Sequence, residues 1–262
     1  PALRLEHLDL SLFEKIKPFI SYRFPYDPWL EKNPEQILRA AGFYKTDFMT
    51  GKEGITLAGA LVFGTDEVIR DIAPTYRVDL LVKRENTNRY DDRLIVQCNL
   101  IDAYMKIMDF VIQYLPDKFS LEGTTRIDLR AKILREVIAN LIVHREYTSR
   151  TPASVIIFND RVEVSNANHP FYNGKVDLDA YAPVQKNPLI ASFFRHLGWV
   201  EEMGSGLHNV RRYSAIYTPN FVPEFYDEGN FRAVIHTPAR KQVVLAENEE
   251  FLTISKIGRA HV

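Results

Sequence analysis

The chain has 262 residues and a net charge of −1, with 46% hydrophobic and 26% charged residues, which is typical of a globular protein with a sizeable core. The near-neutral charge excludes a protein that is drawn to nucleic acid by an overall positive field. The single cysteine, Cys98, excludes an internal disulfide and favours a reducing cytoplasm. No apolar run approaches the ~20 residues that cross a bilayer, so no membrane partner is expected.

Helices and strands are mixed in residues 1–122. A first helix is predicted over Leu12–Ile20, and a second begins at Pro34, with Asn33 as its N-cap and Gly42 as its stop. Apolar runs then predict three strands and one helix: strands over Ile55–Gly64, Tyr76–Val82 and Leu94–Leu100, and a helix over Ile101–Tyr114. This mixture predicts an α/β layer of its own, with a boundary near residues 121–125.

Residues 123–240 are predicted as a second unit. Its expected elements, in chain order, are a helix over Leu129–Tyr147, a hairpin of Ser154–Phe158 and Arg161–Ser165, helices over Pro188–Leu197 and Leu207–Ile216, and a strand over Phe231–His236. The long irregular segment 166–203 contains only one helical run, and connections of that length are usually functional or mobile. Residues 241–262 are predicted as a tail, whose last six residues resemble a translated sequencing adaptor.

The helix over Leu129–Tyr147 carries a polar stripe. Glu136, Asn140 and His144 are spaced four residues apart, so they share one face beside the apolar arc. An ordinary polar boundary gives the same spacing. The chemical alternative is that Asn140 supplies a neutral oxygen to Mg²⁺ and Glu136 orients or deprotonates an attacking water.

A glycine pair precedes the helix Leu207–Ile216. Gly204 and Gly206 flank Ser205, and glycines at a helix start let backbone N–H groups approach a phosphate closely. The same pattern also occurs in ordinary turns. If the site is real, the long segment before the glycines would form a lid over a nucleotide.

These features together resemble the GHKL superfamily, in which gyrase, histidine kinases and MutL repair proteins share an ATP-binding α/β sandwich. The runs LREVIANLIVHREY, DRVEVSNANHP and KNPLIASFFRHLGWVEEMGSGLHNV are similar to the RecG-helicase-related ATP-binding domain of bacterial and archaeal transcriptional regulators. Thr56–Gly64 resembles the segment that precedes that domain. The resemblance implies a two-layer α+β sandwich, a Bergerat-like ATP-binding fold, preceded by a smaller α/β region. It also implies a Schlafen/AlbA-type DNA-binding domain upstream and a winged helix downstream, both beyond this chain.

The resemblance also implies roles for individual residues. Glu136 takes the catalytic carboxylate position and Asn140 the magnesium position, while Asn166 lies nearest the aspartate that reads adenine, with Asp160 as the alternative. The expected ATP-binding residues are Asn140, His144, Asn166, Lys186, Asn187, Gly204, Ser205 and Gly206. His144 and Arg145 match an H-R pair whose role stays open.

The chain departs from the family pattern at one strand end. Residues 166–168, Asn-Ala-Asn, replace the family's N-P-G. An amide at position 166 accepts a hydrogen bond more weakly than a carboxylate would. ATP and Mg²⁺ therefore remain the expected cofactors, with at most slow hydrolysis.

Two interpretations follow. The first is a Mg-ATP-binding regulatory domain of a transcriptional regulator, at most a slow ATP hydrolase, whose lid closure is coupled to DNA binding or homo-oligomerisation. The second is a degenerate interaction or dimerisation module with the same fold. A helicase motor is excluded because the sequence contains no G-x-x-x-x-G-K-[ST] motif.

Overall fold

A seven-stranded mixed sheet, buried against helices on one face, organises the computed structural model. The structure describes residues 3–84, 88–167, 170, 173–177, 186–201 and 205–239. The first elements in chain order are α1 (Ser11–Arg23), α2 (Pro34–Ala40), β1 (Tyr44–Thr46), β2 (Glu53–Ile55), α3 (Leu57–Phe63), α4 (Asp66–Ile72), β3 (Val78–Val82), β4 (Asp92–Val96), α5 (Leu100–Tyr114) and β5 (Phe119–Glu122).

The remaining elements build most of the sheet and the helices that cover its centre. They are β6 (Thr125–Asp128), α6 (Leu129–Val143), β7 (Ala153–Ile157), β8 (Arg161–Ala167), β9 (Gly174–Lys175), α7 (Pro188–His196), α8 (Ser205–Tyr217), β10 (Glu224–Glu228) and β11 (Asn230–His236). Helix α6 packs against α5, α8 and strand β8. Its start is fixed by Asp128, whose carboxylate accepts hydrogen bonds from the backbone N–H groups of Arg130 and Ala131.

Strands from both halves of the chain share the main sheet, in the order β4-β3-β7-β8-β11-β10-β9. The β3–β7 pair is parallel and the other pairs are antiparallel. This mixed sheet and its helix layer confirm the predicted α+β sandwich. The layer expected for residues 1–122 is not separate, because β3 hydrogen-bonds to β7. The boundary near 121–125 falls in the turn of the β5–β6 hairpin, where Gly123 has a φ of 62°; as a domain limit it stays a prediction.

The predicted strand over Ile55–Gly64 is wrong, because most of this segment forms helix α3. Thr56 caps the helix by accepting a hydrogen bond from the Gly59 N–H at 3.2 Å. A side chain at Gly59 would meet the Cβ of Phe43 at 2.8 Å, so the helix packs against its neighbour through a glycine. The run is buried from Gly59 to Phe63, and a continuous apolar run has no periodicity that separates helix from strand.

Other predicted elements agree with the structure apart from their ends. The capping box at Asn33 and Gln36 is present, and the predicted hairpin forms β7 and β8. The strand predicted over Leu94–Leu100 ends at Val96. Asn99 caps α5 instead, by accepting a hydrogen bond from the Asp102 N–H at 2.8 Å. The tail, 241–262, lies outside the described residues. None of the described helices has the length and apolar character needed to cross a membrane.

Candidate functional site

Glu136 is a buried carboxylate on the face of α6 that α8 covers. The residue is 6% exposed. Its Oε1 accepts a hydrogen bond from the Asn140 side-chain nitrogen, and its Oε2 accepts one from the Glu201 backbone N–H, both at 3.4 Å. Burial raises the pKa of Glu136 above its usual value, and the Glu201 N–H opposes that shift. The polar stripe of α6 therefore begins with a carboxylate that holds a proton more readily than it would in water.

Helix α8 meets Glu136 through Gly206. A Cβ at Gly206 would lie 2.0 Å from the Oε1 and 2.2 Å from the Cδ of Glu136. Only a residue without a side chain allows this approach. The first turn of α8 is thus placed directly against the carboxylate. Ser205 begins α8, while Gly204 and four stretches of the expected lid, 168–169, 171–172, 178–185 and 202–203, lie outside the described residues.

A small cleft opens between α6, the start of α8 and the sheet. Its empty space of about 280 Å³ includes open solvent, and the enclosed part has room for about one water molecule. Its lining contains two polar side chains, Asn140 and Asn166, and otherwise apolar ones: Val137, Leu141, Val164, Leu207, Phe225, Phe231 and Ala233. Two of the sequence-predicted residues therefore border a single cavity whose floor is partly aromatic.

Asn166 lies at the end of β8 and is 3% exposed. Its amide nitrogen donates to the Leu141 carbonyl at 2.8 Å, and its amide oxygen accepts from the Arg145 guanidinium at 3.2 Å. Arg145 also donates to the Thr151 carbonyl at 3.0 Å. Burial lowers the pKa of Arg145 from its usual value. Asn166 therefore lines the cleft while it ties β8 to the end of α6.

Asn187 and Lys186 lie beyond the C-terminal end of α6. The Asn187 amide donates to the carbonyls of Val143 and Arg145, both at 2.9 Å. Lys186 is half-buried, and burial lowers its pKa against the opposing charges of Glu146 and Asp227. Neither side chain lines the cleft. The contacts of Asn187 are those of a residue that satisfies helix-end carbonyls.

His144 ends the polar stripe as the C-cap of α6. Its backbone N–H donates to the Asn140 carbonyl at 3.0 Å. The alternative base-reading residue, Asp160, lies at the turn between β7 and β8, exposed and paired with Arg161 at 2.9 Å. Because Asn166 lies at the other end of β8, Asp160 is remote from the cleft.

The predictions missed the cleft floor and a buried carboxylate beside it, since β10 was not predicted. Asp227 is 3% exposed. Phe231 pairs with Asn166 on one side and Asp227 on the other, so all three point to the same face of the sheet. The aromatic pair Phe225-Tyr226, followed by the turn dipeptide Gly229-Asn230 directly before the predicted strand Phe231–His236, was the signal that could have revealed this hairpin.

Two family models match separate parts of the chain. The family described as "Putative ATP-dependent DNA helicase recG C-terminal" matches residues 151–235, and a domain of unknown function, DUF8451, matches residues 1–79. No curated protein matches the chain significantly. The solved structure of the DIP2311 protein from Corynebacterium diphtheriae is similar, with a TM-score of 0.66 and 15% identity over 91% of this chain. The chain spans 46% of that protein's length, and the likeness is one of fold.

An ATPase-like, RecG-related region is therefore present at residues 151–235. This region contains β7, β8, α7, α8 and the β10–β11 hairpin, which supply the floor of the cleft and the helix that carries Gly206. The match begins after α6, so Glu136 and Asn140 lie outside it, and their roles stay predictions.

Proposed function

We propose that residues 129–236 form a Mg-ATP-binding domain that regulates a larger protein, as in the transcriptional regulators that the sequence resembles. The observation that carries this proposal is that Asn140 and Asn166 line one cleft, while Glu136, in contact with Gly206, is hydrogen-bonded to Asn140 beside it. These residues come from three separate segments, and part of the cleft belongs to the ATPase-like region. A buried carboxylate at a cleft is costly to keep there and is typical of functional sites.

A nucleotide would need a wider cleft than the structure shows, but the lining has the chemical character that the two ends of a nucleotide require. Its apolar slot, with Phe225 and Phe231 in the floor, has the character of a site for a flat base. The first turn of α8 borders it through Leu207, and Gly206 contacts Glu136 next to it. Helix α8 has 13 residues, so its free N–H groups and dipole favour negative charge at that end.

Asn140 and Glu136 have complementary proposed roles. The Asn140 amide nitrogen is turned toward Glu136, which leaves its amide oxygen to act as a neutral ligand for Mg²⁺. When bound, Mg²⁺ would neutralise charge on the phosphate oxygens. Glu136 would orient a water and accept its proton at a carboxylate oxygen, and its raised pKa makes it a better base than an exposed glutamate.

The proposed regulatory output is a change in DNA affinity or in homo-oligomeric state. Such coupling requires that the two conformations of the protein differ in their affinity for ATP. The DNA-binding segments would lie beyond this chain. Titration of ATP into a protein that carries those segments, with DNA affinity as the readout, tests this coupling.

The direct test of the site is a calorimetric titration of the full chain with ATP, with and without Mg²⁺. We expect Mg²⁺-dependent binding that Asn140→Ala abolishes. Glu136→Ala should retain binding and remove any hydrolysis, measured as phosphate release. Asn159→Ala is the matched control, because Asn159 lies in the exposed β7–β8 turn remote from the cleft. Equal binding by Asn140→Ala and the control would contradict the proposed site.

One observation favours a second candidate, an interaction module that keeps the fold without the ligand. The enclosed part of the cleft has room for about one water molecule, which is far less than the roughly 300–1,000 Å³ usual for ligand pockets. The amides of Asn166 and Asn187 both bond to the end of α6. The absence of any heat of binding in the same titration, together with a concentration-dependent oligomer in sedimentation, would support this candidate.

A further inference from the structure

Arg145 is a buried cation with neutral partners. Its side chain is 1% exposed. The guanidinium donates to the Asn166 amide oxygen and the Thr151 carbonyl, and it lies 5.6 Å from the ring centroid of Tyr76. Its Nε has no acceptor among the described residues. The charge of the neighbouring Glu146 favours the guanidinium, but burying a guanidinium whose hydrogen bonds to Asn166 and Thr151 go to neutral oxygens is costly, so the contact with Asn166 calls for a functional explanation.

Two neighbours fix the orientation of the Asn166 amide. Leu141 presents a carbonyl to its nitrogen at 2.8 Å, and Arg145 presents N–H donors to its oxygen at 3.2 Å. A flipped amide would set oxygen against the Leu141 carbonyl and N–H against the guanidinium, and both contacts would be repulsive. The amide is therefore held in one orientation from both sides.

The fixed amide keeps part of its hydrogen-bonding capacity. A side-chain amide has two N–H donors and two acceptor lone pairs. Leu141 takes one donor and Arg145 takes one lone pair, so one donor and one acceptor remain on a side chain that lines the cleft. An adjacent donor and acceptor form the pattern with which asparagine pairs with adenine, through the amino group and the neighbouring ring nitrogen.

We propose that Arg145 is a positioning residue, which holds the Asn166 amide in the orientation that reads an adenine-like base in the cleft. The inference rests on the proposed nucleotide function and extends it to base selection. This role also explains why position 166 carries an amide. A carboxylate oxygen there would face the Leu141 carbonyl oxygen, and the negative charges of the two oxygens would repel each other. Arg145 itself does not line the cleft, so it acts through Asn166.

The test compares two nucleotides on the full chain by calorimetry with Mg²⁺ present. The first is ATP, and the second is purine riboside triphosphate, which lacks only the amino group at position 6. Loss of one hydrogen bond predicts that the unsubstituted chain binds ATP about fivefold more tightly. In Arg145→Lys the ratio should fall toward one, because a lysine cannot hold the amide in the same way.

The control is Arg130→Lys at the opposite end of α6. Arg130 donates to Asp128 and to the Leu115 carbonyl, so this variant should lower thermal stability and keep the fivefold ratio. If Arg145 has only a structural role, Arg145→Lys should weaken the binding of ATP and of purine riboside triphosphate equally, so that the ratio of the two affinities does not change. Asn166→Ala should match Arg145→Lys, and it serves as the test if Arg145→Lys does not fold.

The outcomes separate the two proposals. If the unsubstituted chain binds neither nucleotide, the proposed function fails and this inference fails with it. If it binds both and the ratio persists in Arg145→Lys or in Asn166→Ala, the positioning role is overturned while nucleotide binding stands.

Discussion

Gly206→Ala tests the contact that joins α8 to α6. The added Cβ would lie 2.0 Å from the Oε1 and 2.8 Å from the Cγ of Glu136, whereas Cβ contacts in proteins stay above 3.0 Å. The carboxylate or the helix must therefore shift by about 1 Å. Glu136 is buried and held by Asn140 and by the Glu201 N–H, so it has little room to rotate away.

The expected cost is about 1–2 kcal/mol of unfolding free energy. Overpacking a well-filled interior costs roughly 1–3 kcal/mol. Against this, alanine is favoured over glycine by at most about 1 kcal/mol in a helix interior, and by less at Gly206, the second residue of α8. The clash should therefore outweigh the helical preference. Any ATP hydrolysis should fall as well, because the shift displaces Glu136.

A double-mutant cycle isolates the contact. Gly206→Ala, Glu136→Ala and the double variant are unfolded in urea, and we expect a coupling energy of about 1 kcal/mol or more, because truncating Glu136 removes the clash. Gly59→Ala is the control, since its Cβ would meet Phe43 at 2.8 Å; its cost should add to that of Glu136→Ala. Equal costs of Gly206→Ala with and without Glu136 would refute the proposed contact.

Two further predictions concern α6. Glu136→Gln should raise the melting temperature at neutral pH. The raised pKa of Glu136 means that the folded state favours the protonated carboxyl group. The stability that this protonation contributes is present below the ordinary pKa of a glutamate and is lost as pH rises through the folded-state pKa. Each pKa unit corresponds to about 1.4 kcal/mol of unfolding free energy, or about 2–4 °C in melting temperature. The stability gained by Glu136→Gln should vanish near pH 4. A gain in melting temperature that does not change with pH in thermal scans would contradict this prediction. Asn187→Ala should cost about 1–2 kcal/mol in urea unfolding, because it leaves the carbonyls of Val143 and Arg145 without their donor, and an unchanged midpoint would show that water replaces the amide.

Local signals predicted most of the elements, while long-range pairing was not accessible from the sequence. The four-residue spacing of Glu136 and Asn140 is a property of α6 alone, so their common face could be predicted. The parallel pairing of β3 with β7 joins residues such as Val78 and Ala153, which are 75 positions apart (153 − 78), and no periodicity encodes it. Most of the run Ile55–Gly64 forms a helix that Thr56 caps, and a continuous apolar run by itself does not distinguish a helix from a strand.

The sequence predicted Asn140 and Asn166 as site residues, and both line the cleft, while their roles stay predictions. Asn166 was expected to read a base through a single acceptor. Its contacts with Leu141 and Arg145 depend on where β8 lies relative to the end of α6, which is a tertiary property. Phe225, in the floor of the cleft, was not predicted, since it belongs to a short strand with no clear alternation of apolar and polar residues.

The polar residues around α6 fall into two groups with different energetic consequences. Asn187 and Asn166 donate to helix-end carbonyls at 2.8–2.9 Å and so stabilise the fold. Glu136 is buried like Asn166, yet its two hydrogen bonds are long, at 3.4 Å, and burial raises its pKa. An apolar residue there would make a more stable scaffold, so a module without a ligand has no use for this carboxylate. Stability given up at one buried group is the pattern of a functional site. A variant such as Glu136→Gln that gains stability and loses hydrolysis would join the two properties in one residue, whereas a gain in stability with an unchanged response to ATP would favour the interaction module.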